Sequence, residues 1–257
     1  RGECVRDPDH GLRLAKSLGY PLILKPDEGV GAAGIHKVPD EAGLRHLLSG
    51  IAPESHLLEE FIEAPIVSYD GLTDTAGRVL FENSLVYGDG VLEYVLGKDT
   101  FFYVTRRIPE RLSAVGRRLV EAYDIRGKFF HFEFFSRSGD YLPIEINCRP
   151  PGGAILDMMN YSVDGDLYAA YADMISGREA ALLPEKKYYC AYVGRRDRPY
   201  RLRHDDVVAR CGNRLAEHGE NPVVFQGAMC RYRYIVRSPS EEDLLRLAGE
   251  ILERQDP

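Results

Sequence analysis

Apolar residues along this chain recur at two spacings, and the switches between them mark the elements. Leu12, Leu14, Ala15 and Leu18 follow Asp7-Pro8, an N-cap with proline at the first helical position, and Gly19 stops the run, which predicts a helix. A short apolar run at 20–24 predicts a buried strand ending at Lys25-Pro26. A return strand is expected near 35–38, a helix over 40–48 ended by Gly50, and a strand over 56–62 leading to Pro65. Runs at 66–70, 79–86 and 101–108 read as strands, with turns at Asp74-x-x-Gly77 and Gly88-Asp89-Gly90. Pro109 opens a helix to about Tyr123, with Leu112, Val115 and Leu119 on one face.

Strands at 129–135 and 141–147 are joined through Arg137-Ser138-Gly139-Asp140, and a helix over 164–175 ends at Gly177. Pro184-Glu185-Lys186-Lys187 reads as a linker. After it come strands at 188–194, 222–226 and 229–236. The last helix starts at Ser238-Pro239-Ser240-Glu241, a capping box with proline at N1. The fold class is α+β, with mostly antiparallel strands and no internal repeat.

Composition narrows the class. The 257 residues are 44% hydrophobic and carry a net charge of −7, which excludes a disordered tail, a collagen-like chain and a disulfide-stapled mini-protein. A mildly acidic chain gives no electrostatic footprint for nucleic acid. No apolar run approaches the roughly 20 residues a membrane helix needs, and no signal peptide is expected at the polar start. The five cysteines are odd in number and include no Cys-x-x-Cys, which fits a reducing, cytoplasmic setting.

The richest stretch is the pair of strands around Gly139. With a two-residue period, Phe130, Phe132 and Phe134 share one face, and His131 and Glu133 share the other. In the second strand Leu142, Ile144, Ile146 and Cys148 share an apolar face, and Glu145, Asn147 and Arg149 share the other. A hairpin turning about Gly139 sets Glu133 against Glu145. Like charges opposed on a sheet repel. A hard divalent cation offsets that cost, because Mg²⁺ takes carboxylate and amide oxygens. The blander reading is a solvated face on which Arg149 pairs with Glu145.

Two further features are weaker alone. Lys25 ends a strand before Gly29-Val30-Gly31-Ala32-Ala33-Gly34, where small residues allow backbone N–H groups to cradle phosphate; a glycine-rich hairpin turn explains it as well. Glu59-Glu60-Phe61-Ile62 is either an ordinary strand end or a hinge whose backbone reads an adenine edge. His131 reads as a hydrogen-bonded structural histidine that shares a face with a metal ligand. Arg106-Arg107 is a carboxylate clamp or a solvated face. Gly152-Gly153 makes a turn or lets backbone pass close to substrate. Arg195-Arg196-Asp197-Arg198 with Arg201 and Arg203 reads as a solvated loop, and Tyr161, Tyr168 and Tyr171 as core.

In this order the motifs Tyr-Pro-Leu-Ile-Leu-Lys-Pro (20–26), Glu-Glu-Phe-Ile (59–62) and Glu133 followed twelve residues later by Glu-Ile-Asn-Cys-Arg-Pro-Pro-Gly-Gly (145–153) resemble the ATP-grasp superfamily, in its carboxylate–amine ligase and biotin-carboxylase-like branch. The resemblance covers about residues 18 to 180. It implies an ATP-grasp fold of two α+β subdomains clamping ATP, with a small C-terminal α/β extension. The expected division is a lid subdomain at 1–60, a core with the metal site at 61–183 and a C-terminal subdomain at 184–257.

It further implies that Lys25 binds the phosphates under a lid loop of Gly29, Gly31, Ala32, Ala33 and Gly34. Glu59, Glu60, Phe61 and Ile62 line the adenine pocket, and Glu133, Glu145 and Asn147 hold Mg²⁺ (or Mn²⁺). Arg149 is the catalytic residue steadying the transferring phosphoryl group. The implied partners are small-molecule carboxylate and amine substrates, an N-terminal domain of the same protein, and a homodimer mate. Two departures stand out: Ile66 occupies the position of the ribose-binding acid, leaving that role to a neighbour such as Glu63, and the family's upstream phosphate lysine would fall before Arg1. The leading expectation is an ATP-dependent ligase joining an activated carboxylate to an amine. The alternatives are a bicarbonate-activating enzyme and a catalytically silent nucleotide-binding module.

Overall fold

A computed structural model describes residues 1–28, 34–89, 94, 97–178 and 183–255. Among them the chain divides into two compact units, 1–63 and 64–257.

In the first unit, β1 (Gly2–Cys4), β2 (Leu22–Pro26), β3 (His36–Val38) and β4 (His56–Glu60) form an antiparallel sheet in the order β1-β4-β2-β3. Helices α1 (Pro8–Leu18) and α2 (Glu41–Leu48) start where the sequence places them. Asp7 and Asp40 each accept a backbone N–H of the first turn, at 2.7 and 2.8 Å. Their apolar stripes bury Ala15, Leu44 and Leu48 against Leu22, Leu24 and Leu58.

The second unit is built on one sheet in the order β10-β9-β5-β7-β8-β11-β13-β12, with β6 added to β5. The strands are β5 (Ile66–Thr73), β6 (Val79–Asn83), β7 (Leu85–Tyr87), β8 (Phe101–Val104), β9 (Phe129–Arg137), β10 (Asp140–Asn147), β11 (Tyr189–Arg195), β12 (Leu215–Glu220) and β13 (Tyr232–Ser238). Every pairing is antiparallel. Segment 184–257 does not stand apart: β11 pairs with β8 from Cys190↔Val104 to Val193↔Phe101, so the sheet runs on into it.

Helix α3 (Glu110–Ala122) covers Tyr69, Phe130, Phe132 and Phe134 through Leu112 and Val120. Four fully buried aromatic rings are worth about 1.5–3 kcal/mol each by area removed from water. Gly116 is what lets α3 sit so close, since a Cβ there would lie 2.1 Å from the Tyr69 ring. Helices α4 (Ile155–Val163) and α5 (Leu167–Ile175) pack on the opposite face with Leu72, Phe102 and Tyr192.

Several sequence expectations change. The predicted helix over 164–175 begins at Leu167, and α4 precedes it unforeseen. Ile155, Leu156, Met158, Met159 and Val163 are all buried, and only the narrow edge of Asp157, Asn160 and Tyr161 is partly exposed, too little polar contrast to mark the period of α4 in the sequence. Residues 222–226 form no strand; Val223–Phe225 is a 3₁₀ turn, and the strand lies earlier, at β12. Helix α6 (His204–Cys211) was also unforeseen, and Gln226–Met229 is a short helix, α7. The last helix, α8, spans Glu241–Leu252 with Ser240 as N-cap, and Ser238 instead bonds Asp243. Arg195 is not in a solvated loop. Its guanidinium donates to the Ile251 and Leu202 carbonyls and lies over the Tyr200 ring.

Candidate active site

The hairpin of β9 and β10 carries the predicted constellation, by a route the sequence did not show. The turn is a two-residue loop, Ser138-Gly139, with both φ angles positive, 52° and 82°. It starts a register of Arg137↔Asp140 through Phe134↔Pro143. Continued, that register would place Ile144 opposite Glu133. A β-bulge between Pro143 and Glu145 absorbs one residue, and beyond it Glu145↔Glu133, Ile146↔Phe132 and Asn147↔His131 are paired.

The bulge also corrects the expected faces of the second strand. Before it, Tyr141 turns to the core and meets the Phe134 ring edge-on at 6.3 Å, while Leu142 is exposed. After it, Ile146 turns inward, and Cys148 is exposed. Leu142, Ile144, Ile146 and Cys148 therefore do not form one buried face, because the extra residue reverses the alternation.

On the opposite face two rows of polar side chains cross three strands: Glu145–Glu133–Ser68 and Asn147–His131–Asp70. The inner ends are buried, Ser68 and Asp70 completely. Asp70 Oδ2 accepts from Ser68 Oγ at 2.6 Å and from Asn83 Nδ2 at 3.1 Å; Oδ1 lies 2.5 Å from His131 Nδ1. His131 Nε2 lies 3.3 Å from Glu133 Oε1, which also accepts from the Tyr87 hydroxyl at 2.9 Å. Burial alone would pull the His131 pKa down, but the Asp70 and Glu133 carboxylates outweigh it and lift it to about 10. His131 is thus an imidazolium donating from both nitrogens. Burial pushes the Glu133 carboxyl up, yet His131, Tyr87 and the nearby Arg149 charge overcome it and hold the group below its ordinary value.

These contacts all fall on Oε1, so Oε2 of Glu133 has no partner among the described residues. Glu145 is exposed and has no ion pair among the described residues, and Arg149 donates only to the Pro150 carbonyl, at 2.9 Å. Arg149 and Glu145 do not pair. Asn147 Nδ2 is buried without a partner. A carboxamide can turn end for end, so that site can present an oxygen. No group of three His, Cys, Asp or Glu side chains arranged to hold a metal ion is present among the described residues. The donor set is instead two carboxylates and one carboxamide, all hard oxygens, which suits Mg²⁺. The orphaned Asn147 end and Glu133 Oε2 both fit such an ion.

In the first unit, Lys25 Nζ is ion-paired with Glu59 Oε2 at 2.7 Å, so two residues predicted for the nucleotide lie side by side. Glu60 accepts from Arg1, the Phe61 N–H donates to the Pro21 carbonyl at 3.3 Å, and Lys37 Nζ lies 3.7 Å over the Phe61 ring. The backbone of Ile62 has no hydrogen-bond partner among the described residues. Gly34 has a positive φ of 77° and lies against Pro26. Gly29, Gly31, Ala32 and Ala33 lie outside the described residues. Glu63, the last residue of this unit, is exposed with no side-chain partner among the described residues, and in the second unit Ile66 packs with the apolar cluster around Leu72.

Asp70 and Tyr87 were missed by sequence reasoning. A charged residue inside the apolar strand Ile66–Thr73 was the available signal for Asp70; Tyr87 offered none.

The chain matches the ATP-grasp domain family over residues 18–157, and it belongs to that family. The C-terminal section of the carbamoyl phosphate synthase large chain of Methanopyrus kandleri is 31% identical over 96 residues, which is 35% of this chain and 16% of that protein. A pyruvate carboxylase subunit of Methanothermobacter thermautotrophicus is 25% identical over 160 residues, 56% of this chain and 31% of that protein. The chain thus spans under a third of these relatives. Among solved structures, N5-carboxyaminoimidazole ribonucleotide synthetase of Thermus thermophilus has the same fold, with a TM-score of 0.72 at 15% identity over 100% of this chain and 68% of that one. The biotin carboxylase domain of Hydrogenobacter thermophilus 2-oxoglutarate carboxylase, solved with MgADP and bicarbonate, gives 0.65 at 18% identity over 99% and 62%.

Proposed function

We propose that this protein is an ATP-dependent ligase that activates a carboxylate as an acyl phosphate and joins it to an amine. The observation that carries the reading is the Glu133–Glu145 pair: one carboxylate pinned through Oε1, directly across from a second carboxylate, with neither Glu133 Oε2 nor Glu145 holding a partner among the described residues. Glu133, Glu145 and Asn147 would hold Mg²⁺ or Mn²⁺. Bound there, the ion would supply charge neutralisation during phosphoryl transfer.

This chain's own residues do the rest. Lys25 would bind the nucleotide phosphates, with Gly29, Gly31, Ala32, Ala33 and Gly34 as the loop above them. Glu59, Glu60, Phe61 and Ile62 would line the adenine. A substrate carboxylate oxygen attacks the γ-phosphorus and ADP leaves. Arg149 would steady the negative charge on the transferring group with a guanidinium that bonds the Pro150 carbonyl and has no ion pair among the described residues. The amine nitrogen then attacks the acyl carbon and expels phosphate. The family membership supports this reading, and the free cysteines support a cytoplasmic setting.

Bicarbonate as the activated acid is a second reading, favoured by the structural neighbour solved with MgADP and bicarbonate. The test is release of ADP and phosphate from ATP and Mg²⁺ over a panel of carboxylic acids and amines, with labelled bicarbonate in parallel. Turnover that needs one acid–amine pair and yields an amide supports the first reading. Incorporation of label with an amine supports the second, and no turnover with any combination contradicts both.

A further inference from the structure

A cleft of about 800 Å³ opens in the second unit between β6, α3 and the segment leading into β11, and none of its lining residues belongs to the two polar rows. Its walls carry Arg106, Arg107, Arg117 and Lys186, with Phe81 and Ile108 among the apolar lining. Sequence reasoning treated Lys186 as part of a linker and left Arg106-Arg107 undecided between a clamp and a solvated face.

The Lys186 ammonium is the unusual group. It donates to Asn83 Oδ1 at 2.7 Å and to the Thr105 carbonyl at 3.1 Å, and it lies 5.8 Å from the Phe81 ring. All three partners are neutral. No carboxylate stands within ion-pair distance of it among the described residues. Asp70 and Glu82 act on it only at longer range, and each is already engaged: Asp70 by His131 and Glu82 by Arg117, Tyr69 and Ser113. A desolvated cation without a counter-ion is costly, and burial pulls Lys186 down to about 7.

Arg106 and Arg107 line the same cleft. Arg106 is held by the Lys186 and Pro239 carbonyls, at 3.4 and 3.1 Å, which fixes its fork without spending its charge. Arg107 is exposed and has no partner among the described residues. Glu110 and Glu185 also line the cleft, but both are exposed and neither pairs with these cations. Glu110 lies in the first turn of α3, where the helix end favours a carboxylate.

We propose that this cleft binds a small organic anion, whose carboxylate or phosphate group is taken by the Lys186 ammonium and the Arg106 and Arg107 guanidiniums, with its apolar body against Phe81 and Ile108. Forked guanidiniums and an ammonium suit either oxyanion. The inference does not depend on the ATP reading.

The test is calorimetric titration of the full chain with inorganic phosphate and, separately, succinate, for wild type, Arg107→Ala, Lys186→Met and Arg149→Ala. Saturable binding of at least one probe is expected, weakened roughly tenfold or more by Arg107→Ala and by Lys186→Met. The probe that binds tells phosphate from carboxylate. Arg107 is exposed and has no hydrogen-bond or ion-pair partner among the described residues, so its variant should fold as wild type and decides the matter even if Lys186→Met does not fold. No saturable binding of either probe overturns the proposal. So does binding that survives Arg107→Ala unchanged, or that is lost only in Arg149→Ala.

Discussion

Glu145 lies directly opposite Glu133 because strand β10 accommodates one extra residue between Pro143 and Glu145. The tight Ser138-Gly139 turn and the bulge act together. The turn sets the strands one residue out of step, and the bulge brings them back just before the two acids meet. The result is a polar row in which the inner carboxylate is mostly covered and bonded while the outer one is exposed and has no bond among the described residues.

The two acids should therefore separate by stability although they serve one site. Glu145→Gln removes a like-charge opposition and no hydrogen bond, so it should leave stability unchanged or raise it by about 0.2–1 kcal/mol. Glu133→Gln leaves His131 and Tyr87 without their charged acceptor and should cost about 1–3 kcal/mol. Chemical denaturation without added metal measures both. Equal effects would contradict the asymmetry.

The buried charges predict a cancelled pH dependence. His131 is lifted from 6.5 to about 10, so its contribution is full below pH 6.5 and is lost as pH rises through 10. Lys186 is lowered from 10.5 to about 7; the unfolded chain binds the extra proton between these values, so stability rises with pH across that window. The wild type should be nearly flat from pH 7 to about 8.5, above which the thiols of Cys190 and Cys211, both raised by burial, add a loss of stability of their own. Lys186→Met should lose stability over the same range by up to about 1.4 kcal/mol per pH unit, read by denaturant midpoints. A flat profile in that variant would contradict the His131 account.

The seating of α3 on the aromatic face has its own check. Gly116→Ala drives a Cβ into the Tyr69 ring and should cost about 1–3 kcal/mol. Gly249 in α8 faces open space, and Gly249→Ala should stabilise by about 0.5–1 kcal/mol. Thermal unfolding of the two variants should move in opposite directions.

Lys25 and Glu59 are partly exposed, so their ion pair is worth under about 1 kcal/mol. Lys25→Ala should barely move the denaturation midpoint yet weaken Mg·ATP binding by roughly tenfold or more. A large stability loss without an affinity loss would make the pair structural only.

Much of this was legible in the chain. Asp7 and Asp40 announce their helices because a capping carboxylate acts within four residues. The Phe130, Phe132 and Phe134 alternation announces a strand with one buried face because its period is local. The ATP-grasp motifs announced the fold and set Glu133 beside Glu145. What stayed hidden depends on distant partners. The bulge at Ile144 shows only once two strands are paired, and α4 is buried except for a narrow polar edge. Asp70, Lys186 and Arg195 look like surface charges until the sheet closes over them.

The most direct test of the central claim is binding of Mn²⁺·ADP, read by electron paramagnetic resonance of the ion, to wild type and Glu145→Gln. Because Glu145 has no hydrogen-bond or ion-pair partner among the described residues, its loss should leave the fold intact and weaken ion binding by roughly tenfold or more. Equal binding by the two proteins would contradict the claim that Glu133 and Glu145 share a cation.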